Sequence, residues 1–405
     1  METHLPEAFR QTDAGREAEA ILRACVHCGF CTATCPTYQL TGDEDDGPRG
    51  RIYLIKQALE TGRAGPLTRA HLDRCLTCRA CETTCPSGVR YHRLLEIARP
   101  RVRAQAPEPL GRRLLRRALV HTLPERRRAR ALFAAGRLLR PLLPARLAHH
   151  LPSTGPAPPP APGDHARRVI LFQGCVEPVA LPGARAAAAR LLDRLGIAAE
   201  TVPGETCCGA LEHHLDAVDR ARARARNNLE RWQAALEGGA EAIVGLSSAC
   251  VLQIREYPEL FADEPRWRAI AEAVAPRCLE LGRFLADQDL PVPPDTPRAT
   301  LAWHPPCTLQ HGLRDADTIP RLLQRLGYRV LLPAEAHLCC GAAGAYTLLQ
   351  PDLSQRLGEA KRAALEALEP EAIVTANVGC LLHLQRPDGP PVRHWVEAAL
   401  TALAN

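Results

Sequence analysis

Residues 25–36 read CVHCGFCTATCP, and residues 75–86 read CLTCRACETTCP. Both segments follow the pattern C-x2-C-x2-C-x3-C-P, in which a fourth cysteine follows three closely spaced ones. This spacing is typical of segments that hold 4Fe-4S clusters, where the fourth cysteine of each segment binds the other cluster. The two segments therefore predict an N-terminal, mostly helical ferredoxin-like domain built around two such clusters.

The exchange of fourth cysteines divides the eight thiols into two sets of four. The first set is Cys25, Cys28, Cys31 and Cys85, and the second set is Cys75, Cys78, Cys81 and Cys35. Zinc is the alternative occupant, but a zinc ion takes four ligands and does not require the C-x3-C-P tail. Arg49, Arg51 and Arg79 lie close to the motifs and could offset cluster charge, although they could equally be ordinary surface arginines.

Length and composition describe a multidomain protein of ordinary soluble character. The 405 residues suffice for two or three domains, and 46% of them are hydrophobic against 24% charged. No apolar run reaches the roughly 18 residues that a membrane span needs, and the N-terminus lacks a secretory pattern. We therefore expect a cytoplasmic protein, with peripheral contact to the inner face of the cell membrane left open.

The 17 cysteines fall into two zones, with eight before residue 86 and nine after residue 174. In a reducing compartment such cysteines are more often metal ligands or redox centres than disulfides. Between the zones, residues 101–150 contain 13 arginines and only two acidic residues. Leucines interleaved with these arginines predict amphipathic helices, and the Pro-rich residues that follow predict a linker.

The arginine-rich segment has three interpretations. Nucleic-acid binding is disfavoured because Phe133 is its only aromatic residue, so base-stacking platforms are missing. Docking to a partner subunit or to anionic lipid suits the alternation of leucine and arginine. A solvated helical connector explains the segment equally well.

After the linker the sequence repeats itself. RRVILFQGC, ending at Cys175, resembles RATLAWHPPC, ending at Cys307, and in each copy 31 residues separate this cysteine from a CCG tripeptide. EAIVGLSSAC, ending at Cys250, likewise resembles EAIVTANVGC, ending at Cys380. Matching spacing indicates a duplicated domain. Each copy alternates strands with helices, which predicts a parallel α/β sheet whose strand ends bring the cysteines together.

Each copy therefore supplies a candidate set of metal ligands. The sets are Cys175, Cys207, Cys208 and Cys250 in the first copy, and Cys307, Cys339, Cys340 and Cys380 in the second. His383 follows Cys380 by three residues and is a further candidate. These sets could hold a third iron-sulfur centre, a zinc ion or no metal at all, because buried cysteines also serve as small apolar residues. Cys278 matches nothing in the repeat and is interpreted as structural.

These patterns predict an α+β multidomain chain with four segments. Residues 1–100 form the two-cluster domain, residues 101–166 the connector and linker, and residues 167–295 and 296–405 the two α/β copies. No GxGxxG after a strand, P-loop or GxSxG occurs, so we predict no catalytic residue in this chain. Any flavin that oxidises a substrate must then lie on another subunit.

Several segments together resemble the iron-sulfur subunits of bacterial glycolate oxidases: CVHCGFCTATCPTYQL, GPRGRIYLIK, HLDRCLTCRACETTCPSGVRYH, CTLQH, HLCCGAAG and VTANVGC. The resemblance implies a membrane-associated cytoplasmic complex with flavoprotein-type partner subunits. It further implies that glycolate is oxidised to glyoxylate at FAD on a partner, and that this chain relays electrons towards a quinone-linked acceptor.

The C-terminal copies resemble the cysteine-rich CCG domains of heterodisulfide reductases, lactate-utilisation proteins and the third subunit of anaerobic glycerol-3-phosphate dehydrogenase. Cluster-binding members can end in CxxC, whereas VLQ follows Cys250 and LLH follows Cys380, so that last thiol is missing here. The alternative functions are an iron-sulfur subunit for lactate or glycerol-3-phosphate oxidation, and a heterodisulfide-reductase-like enzyme. A zinc-based nucleic-acid binder is the third class.

Overall fold

The computed structural model describes residues 1–142, 151, 163–291 and 298–404. The chain forms two compact units: Met1–Arg117 with His337–Lys361, and Ala118–Ala336 with Arg362–Asn405. Most of the predicted Pro-rich linker and the predicted boundary between the two copies lie outside the described residues. None of the described helices combines the length and the apolar character needed to cross a bilayer.

The N-terminal residues fold as helices, as the cluster motifs and the intervening sequence predict. The helices span Glu7–Arg10, Asp13–Ala24, Pro36–Thr41, Pro48–Thr61, Pro66–Asp73, Ala80–Thr84 and Tyr91–Gln105. Three of them begin with proline, whose fixed φ and missing N–H suit the first helical position. Leu22, Ile55, Leu72 and Leu94 are almost fully buried in the core between these helices.

The connector is also helical, with helices at Leu110–Thr122 and Arg126–Leu138. Arg126 donates from Nε to the carbonyl oxygen of Gly174 at 2.7 Å and from Nη1 to Gln173 Oε1 at 2.5 Å. Glu125 accepts a 2.7 Å hydrogen bond from Arg224 Nη2. The start of this helix therefore packs against the loop that precedes Cys175, so it is more than a solvated connector.

The two C-terminal copies each contain a four-stranded parallel sheet, in the orders β2-β1-β3-β4 and β6-β5-β7-β8. The strands are β1 Arg167–Leu171, β2 Ile197–Glu200, β3 Ile243–Gly245, β4 Cys278–Glu280, β5 Thr300–His304, β6 Arg329–Leu331, β7 Ala372–Thr375 and β8 Val392–His394. The shared strand order confirms the predicted duplication and the α/β class of both copies. The short fourth strands were not predicted.

Helices precede, separate or follow these strands along the chain. They span Glu177–Ala180, Pro182–Arg194, Ala210–His214, Val218–Glu237, Ser248–Arg255, Tyr257–Leu260, Pro265–Val274, Leu281–Ala286, Thr318–Arg325, Tyr346–Leu349, Pro351–Glu366, Val378–Leu384 and Trp395–Ala404. One hydrophobic core includes residues of both sheets, such as Val169 of β1 and Trp303 of β5, and the fully buried Trp395 of the last helix. The backbone N–H of Ser248 donates to the carbonyl oxygen of Ala376 at 3.0 Å, which joins the loops after β3 and β7.

Four cysteines lie elsewhere than predicted: Cys175 and Cys307 were expected at the ends of β1 and β5 but lie beyond the ends of these strands. Cys250 and Cys380 were expected at strand ends, but both lie in the first turn of the helix that follows the strand. Because β3 and β7 end several residues earlier, the loop and the helix N-terminus carry the thiol instead. Cys278 is buried in β4, in keeping with a structural role.

Candidate metal centres

Two cavities in the first compact unit are lined by cysteines of both N-terminal motifs. The first cavity, about 440 Å³ including space open to solvent, is lined by Cys25, Cys28, Cys31 and Cys85, with Cys81 also on its wall. The second cavity, about 370 Å³ measured in the same way, is lined by Cys35, Cys75, Cys78 and Cys81. Each cavity thus contains three thiols of one motif and the fourth thiol of the other, which are the two sets predicted from spacing.

The same backbone turn shapes both cysteine loops. His27 and Thr77, the third residues of the motifs, have φ of 55° and 54°, and the fifth residues, Gly29 and Arg79, have φ of 86° and 64°. The left-handed region costs a residue with a side chain about 1–3 kcal/mol, so the surroundings must enforce this turn. The equal conformations direct successive thiols of each motif into one cavity.

The chemistry of the thiols fits a group that carries positive charge. Burial, together with the neighbouring Cys25 thiolate, raises the pKa of Cys31 to about 11. Burial and the Cys78 thiolate hold the pKa of Cys81 well above its ordinary value. Thiolates crowded in a buried space repel one another unless a metal compensates their charge. Four thiols around a closed space fit a thiolate-ligated 4Fe-4S cluster, which supplies one-electron transfer when bound.

The first cavity opens towards solvent. Its ligand candidate Cys28 is exposed, and Val26 and Phe30 on the same loop are 67% and 62% exposed. Arg49 lies on the wall and donates from Nε and Nη2 to the two carboxylate oxygens of Glu44, at 2.6 and 3.0 Å. This arginine is solvated and its charge is neutralised by its partner.

The second cavity is backed by a buried charged network. Arg51 lies on its wall and is 1% exposed. The Asp46 carboxylate lies 2.8 Å from His71 Nδ1 and accepts a 2.9 Å hydrogen bond from Arg74 Nη1. Sequence reasoning singled out Arg51 but missed Asp46 and His71. The acidic run that precedes GPRG was the available signal, but its partners are some 25 residues away.

A segment of the second repeat also packs in the first unit, beside this network. Tyr346 donates its hydroxyl hydrogen to the carbonyl oxygen of Arg74 at 2.9 Å, next to Cys75. Burial raises the pKa of Tyr346 above its ordinary value, and the thiolates of Cys75 and Cys339 raise it further. Cys339 therefore lies close enough to Tyr346 to act on it electrostatically. Spacing did not predict this arrangement.

The structure brings together the four candidate thiols of the first repeat. Cys175 Sγ lies 3.2 Å from Cys207 Sγ, and Cys208 is within hydrogen-bond reach of both Cys207 and Cys250. Thiol hydrogen bonds from Cys175 and Cys208 lower the pKa of Cys207, which lies between them. The thiols thus form a continuous chain that is buried at Cys207 and Cys208 and partly buried at Cys175 and Cys250.

The glycine of each CCG turn has a conformation that only glycine adopts readily. Gly209 has φ of 82°, and a Cβ there would lie 3.2 Å from the Cα of Ala221. Gly341 has φ of 89°, and a Cβ there would lie 2.8 Å from the carbonyl oxygen of Ser354. Both the left-handed conformation and the close backbone approach exclude a side chain.

The candidate residues of the second repeat are distributed over both compact units. A ring nitrogen of His304, at the end of β5, and the thiol of Cys380 lie within 4.8 Å of each other. His383 is buried one turn further along the Cys380 helix, and Cys307 begins the π-helix Thr308–Gly312. Cys339 and Cys340 are buried in the segment that belongs to the first unit. This predicted ligand set stays a prediction.

Comparison with known families assigns all three cysteine-rich regions. A family described as "4Fe-4S dicluster domain" matches residues 21–89. A second family, described as "Cysteine-rich domain" and abbreviated CCG, matches residues 169–255 and 301–385. A crystal structure of a hypothetical protein from Helicobacter pylori aligns with a TM-score of 0.60 over 98% of this chain and 73% of that chain. At 10% sequence identity this likeness shows the fold alone.

Curated relatives extend over the full length. The glycolate oxidase iron-sulfur subunit of Escherichia coli is 47% identical, over 100% of this chain and 99% of that protein. The probable glycolate oxidase iron-sulfur subunit of Bacillus subtilis is 30% identical, over 91% and 90% of the two chains. Lactate utilization protein A of an Exiguobacterium species is 30% identical over 53% of this chain and 88% of that protein. The chain belongs to the glycolate oxidase iron-sulfur subunit family.

Proposed function

We propose that this chain carries electrons within a glycolate oxidase complex, from a reduced flavin on a partner subunit towards a quinone-linked acceptor. The observation that supports this most directly is the pair of cavities, whose walls each include the four cysteines of one predicted set, in the arrangement that suits a 4Fe-4S cluster. We assign one cluster to each cavity. A flavin that oxidises an organic substrate releases two electrons, which two clusters can accept one at a time.

Exposure supports an order for the two sites. Electrons would enter at the first cavity, where Cys28 is exposed and Val26 and Phe30 offer apolar contact to a partner. They would leave past the second cavity, where Tyr346 is hydrogen-bonded beside Cys75 and lies near Cys339. In this role the protein excludes water from the thiols and holds the two sites next to each other, with Cys81 on both walls.

We keep a third centre, either iron-sulfur or zinc, as a proposal for the repeats. The converging thiols of Cys175, Cys207, Cys208 and Cys250 support it in the first copy. The same thiol chain is the observation that favours a heterodisulfide-reductase-like activity as the second candidate function. Replacing Cys207 with Ser would abolish disulfide turnover under that alternative but leave glycolate-dependent reduction of the N-terminal clusters unchanged.

The experiment that tests the function is substrate-dependent EPR of the anaerobically co-purified complex. Glycolate should reduce the clusters rapidly, whereas D-lactate and glycerol-3-phosphate should not. A Cys85→Ser variant, in which only the second set of four thiols is complete, should lose the rapid phase of cluster reduction. Reduction by D-lactate or glycerol-3-phosphate alone would assign the chain to the corresponding alternative complex, and purification without a flavin subunit would contradict the relay.

A further inference from the structure

Arg51 has an unusual position for an arginine. Its side chain is 2% exposed and lies on the wall of the second cavity. Nε donates to the carbonyl oxygen of His71 at 2.8 Å, and Nη1 donates to Thr37 Oγ1 at 3.1 Å. Nη2 makes no hydrogen bond and lies 3.6 Å from an Asp46 carboxylate oxygen. A buried guanidinium with one unbonded nitrogen needs a nearby anionic group to offset its desolvation.

The candidate ligands of the second cavity provide that anionic group. Thr37 Oγ1, which accepts from Arg51, lies 3.2 Å from the Cys35 sulfur. Burial acts to lower the pKa of Arg51, but the thiolate of Cys75, together with Tyr91, Cys35 and Asp46, raises it above its ordinary value. Arg51 is therefore coupled electrostatically to two of the four thiols assigned to the second cluster.

The side chains around the second cavity, other than its cysteines, carry a net positive charge. Asp46 is the carboxylate that faces Arg51, and it is shared with Arg74 and the imidazole of His71. Arg79, which is 8% exposed, also lines the cavity, together with Glu82 and His92, which pair with each other at 2.8 Å. With the cysteines left aside, three arginines (Arg51, Arg74 and Arg79) thus face two carboxylates, those of Asp46 and Glu82.

The first cavity has no equivalent charge among the residues that line it. Arg49 is two positions before Arg51 on the same helix, but its side chain is 37% exposed and bonded to both oxygens of Glu44. Water screens this pair, and the two charges cancel. A charge in a buried site acts much more strongly than the same charge at the surface.

From this asymmetry we propose that Arg51 gives the cluster at Cys35, Cys75, Cys78 and Cys81 a higher midpoint potential than its neighbour and makes it the site where electrons collect. Reduction adds one negative charge to a cluster, and a buried cation stabilises the more negative state. Each transfer oxidises the cluster of the first cavity by one electron and reduces that of the second by one, with no bond made or broken. The inference rests on the proposed two-cluster function.

The test is an anaerobic potentiometric titration of the full chain followed by EPR. Cys85→Ser should leave only the second cluster and Cys35→Ser only the first, so these variants assign each potential to a cavity. In the wild type the second cluster should have the higher potential. Arg51→Gln should lower the equilibrium constant for electron transfer from the first to the second cluster by about tenfold or more. A tenfold change corresponds to a fall of about 59 mV in the midpoint potential of the second cluster, for a one-electron couple. Arg49→Gln is the matched control and should leave both potentials nearly unchanged.

Charge-restoring variants separate electrostatics from folding. Arg51→Lys should return the potential towards the wild-type value, and Asp46→Asn should raise it, because that variant removes the opposing negative charge. If Arg51→Gln does not assemble, the wild-type order and the Asp46→Asn shift decide the question. Equal potentials, a higher potential in the first cavity, or a downward shift in Asp46→Asn would overturn the inference while two clusters remain. Absence of iron would instead overturn the proposed function.

Discussion

The two cysteine motifs have the same spacing and the same left-handed turns, yet their surroundings differ. Val26 in the first motif is 67% exposed, whereas its counterpart Leu76 is 7% exposed. Phe30 is 62% exposed, whereas its counterpart Ala80 is fully buried. The motif therefore fixes how thiols are arranged, while the packing around it determines access to solvent and local charge.

This difference matters for electron transfer because ligation, nearby charge and solvent exposure all tune an iron-sulfur potential. An exposed site suits exchange with a partner. A site whose wall includes the buried Leu76 and Arg51 suits retention of an electron inside the protein. Two copies of one motif can thus take different roles in a single relay.

Replacing the fourth cysteine of either motif should have the largest effect on the clusters. Cys85→Ser should remove the first cluster although Cys85 belongs to the second motif, and Cys35→Ser should remove the second. Each change should lower the iron content from about eight to about four per chain. The EPR spectrum left by Cys85→Ser should match that of Cys28→Ser, and the spectrum left by Cys35→Ser should match that of Cys78→Ser.

Cys278→Ala is the control for these substitutions, because Cys278 is buried in β4 and belongs to the other compact unit. It should retain all the iron. If Cys85→Ser instead leaves the spectrum of Cys78→Ser, each motif holds its own cluster and the crossed assignment is wrong.

The two clusters should also differ in how fast they lose iron, because their ligands differ in exposure to solvent. On contact with air or a chelator, the first cluster should disappear several-fold faster than the second, because Cys28 is exposed and Cys78 is partly buried. Time-resolved EPR measures both rates in one sample. Cys35→Ser should lose its remaining iron at the fast rate and Cys85→Ser at the slow rate. Equal rates would show that the exposure of the first loop does not control access.

Acid should lower the stability of the fold through His394, a residue of the second repeat that is far in sequence from both motifs. His394 is 1% exposed, its Nε2 donates to the carbonyl oxygen of Leu246 at 2.8 Å, and its Nδ1 accepts from the Val396 N–H at 3.3 Å. Burial lowers the pKa of His394 to about 4, below the roughly 6.5 of an unfolded histidine. Because the unfolded chain binds this proton more readily, stability is lost as the pH falls below about 6.5.

Between pH 6.5 and pH 5 this one group should cost about 2 kcal/mol of unfolding free energy. Thermal unfolding of His394→Gln, which keeps a donor but cannot be protonated, should show a flatter dependence over that range. Its EPR spectrum at pH 7.5 should match the wild type, since the change lies outside both motifs. An equally steep acid loss in His394→Gln would assign the effect to another group.

Sequence spacing predicted the crossed thiol sets, whose members line the two cavities, and the duplicated α/β domain, because both predictions depend on local order and repeated intervals. It could not predict β4 and β8, which are three residues long and too short for a periodic signal. It also missed the network that joins Asp46, Arg51 and His71, since only the packing of separate helices brings them together. The packing of Tyr346 beside Arg74 spans 272 positions and has no local signature.

The most direct test of whether this chain holds two 4Fe-4S clusters is its metal content, measured on the full chain after purification without oxygen, together with EPR after reduction. The account predicts about eight irons and a matching amount of acid-labile sulfide per chain, with signals from two 4Fe-4S clusters. Additional iron or zinc would assign a further centre to the repeats and leave this claim intact. About four irons, or zinc without iron, would contradict it.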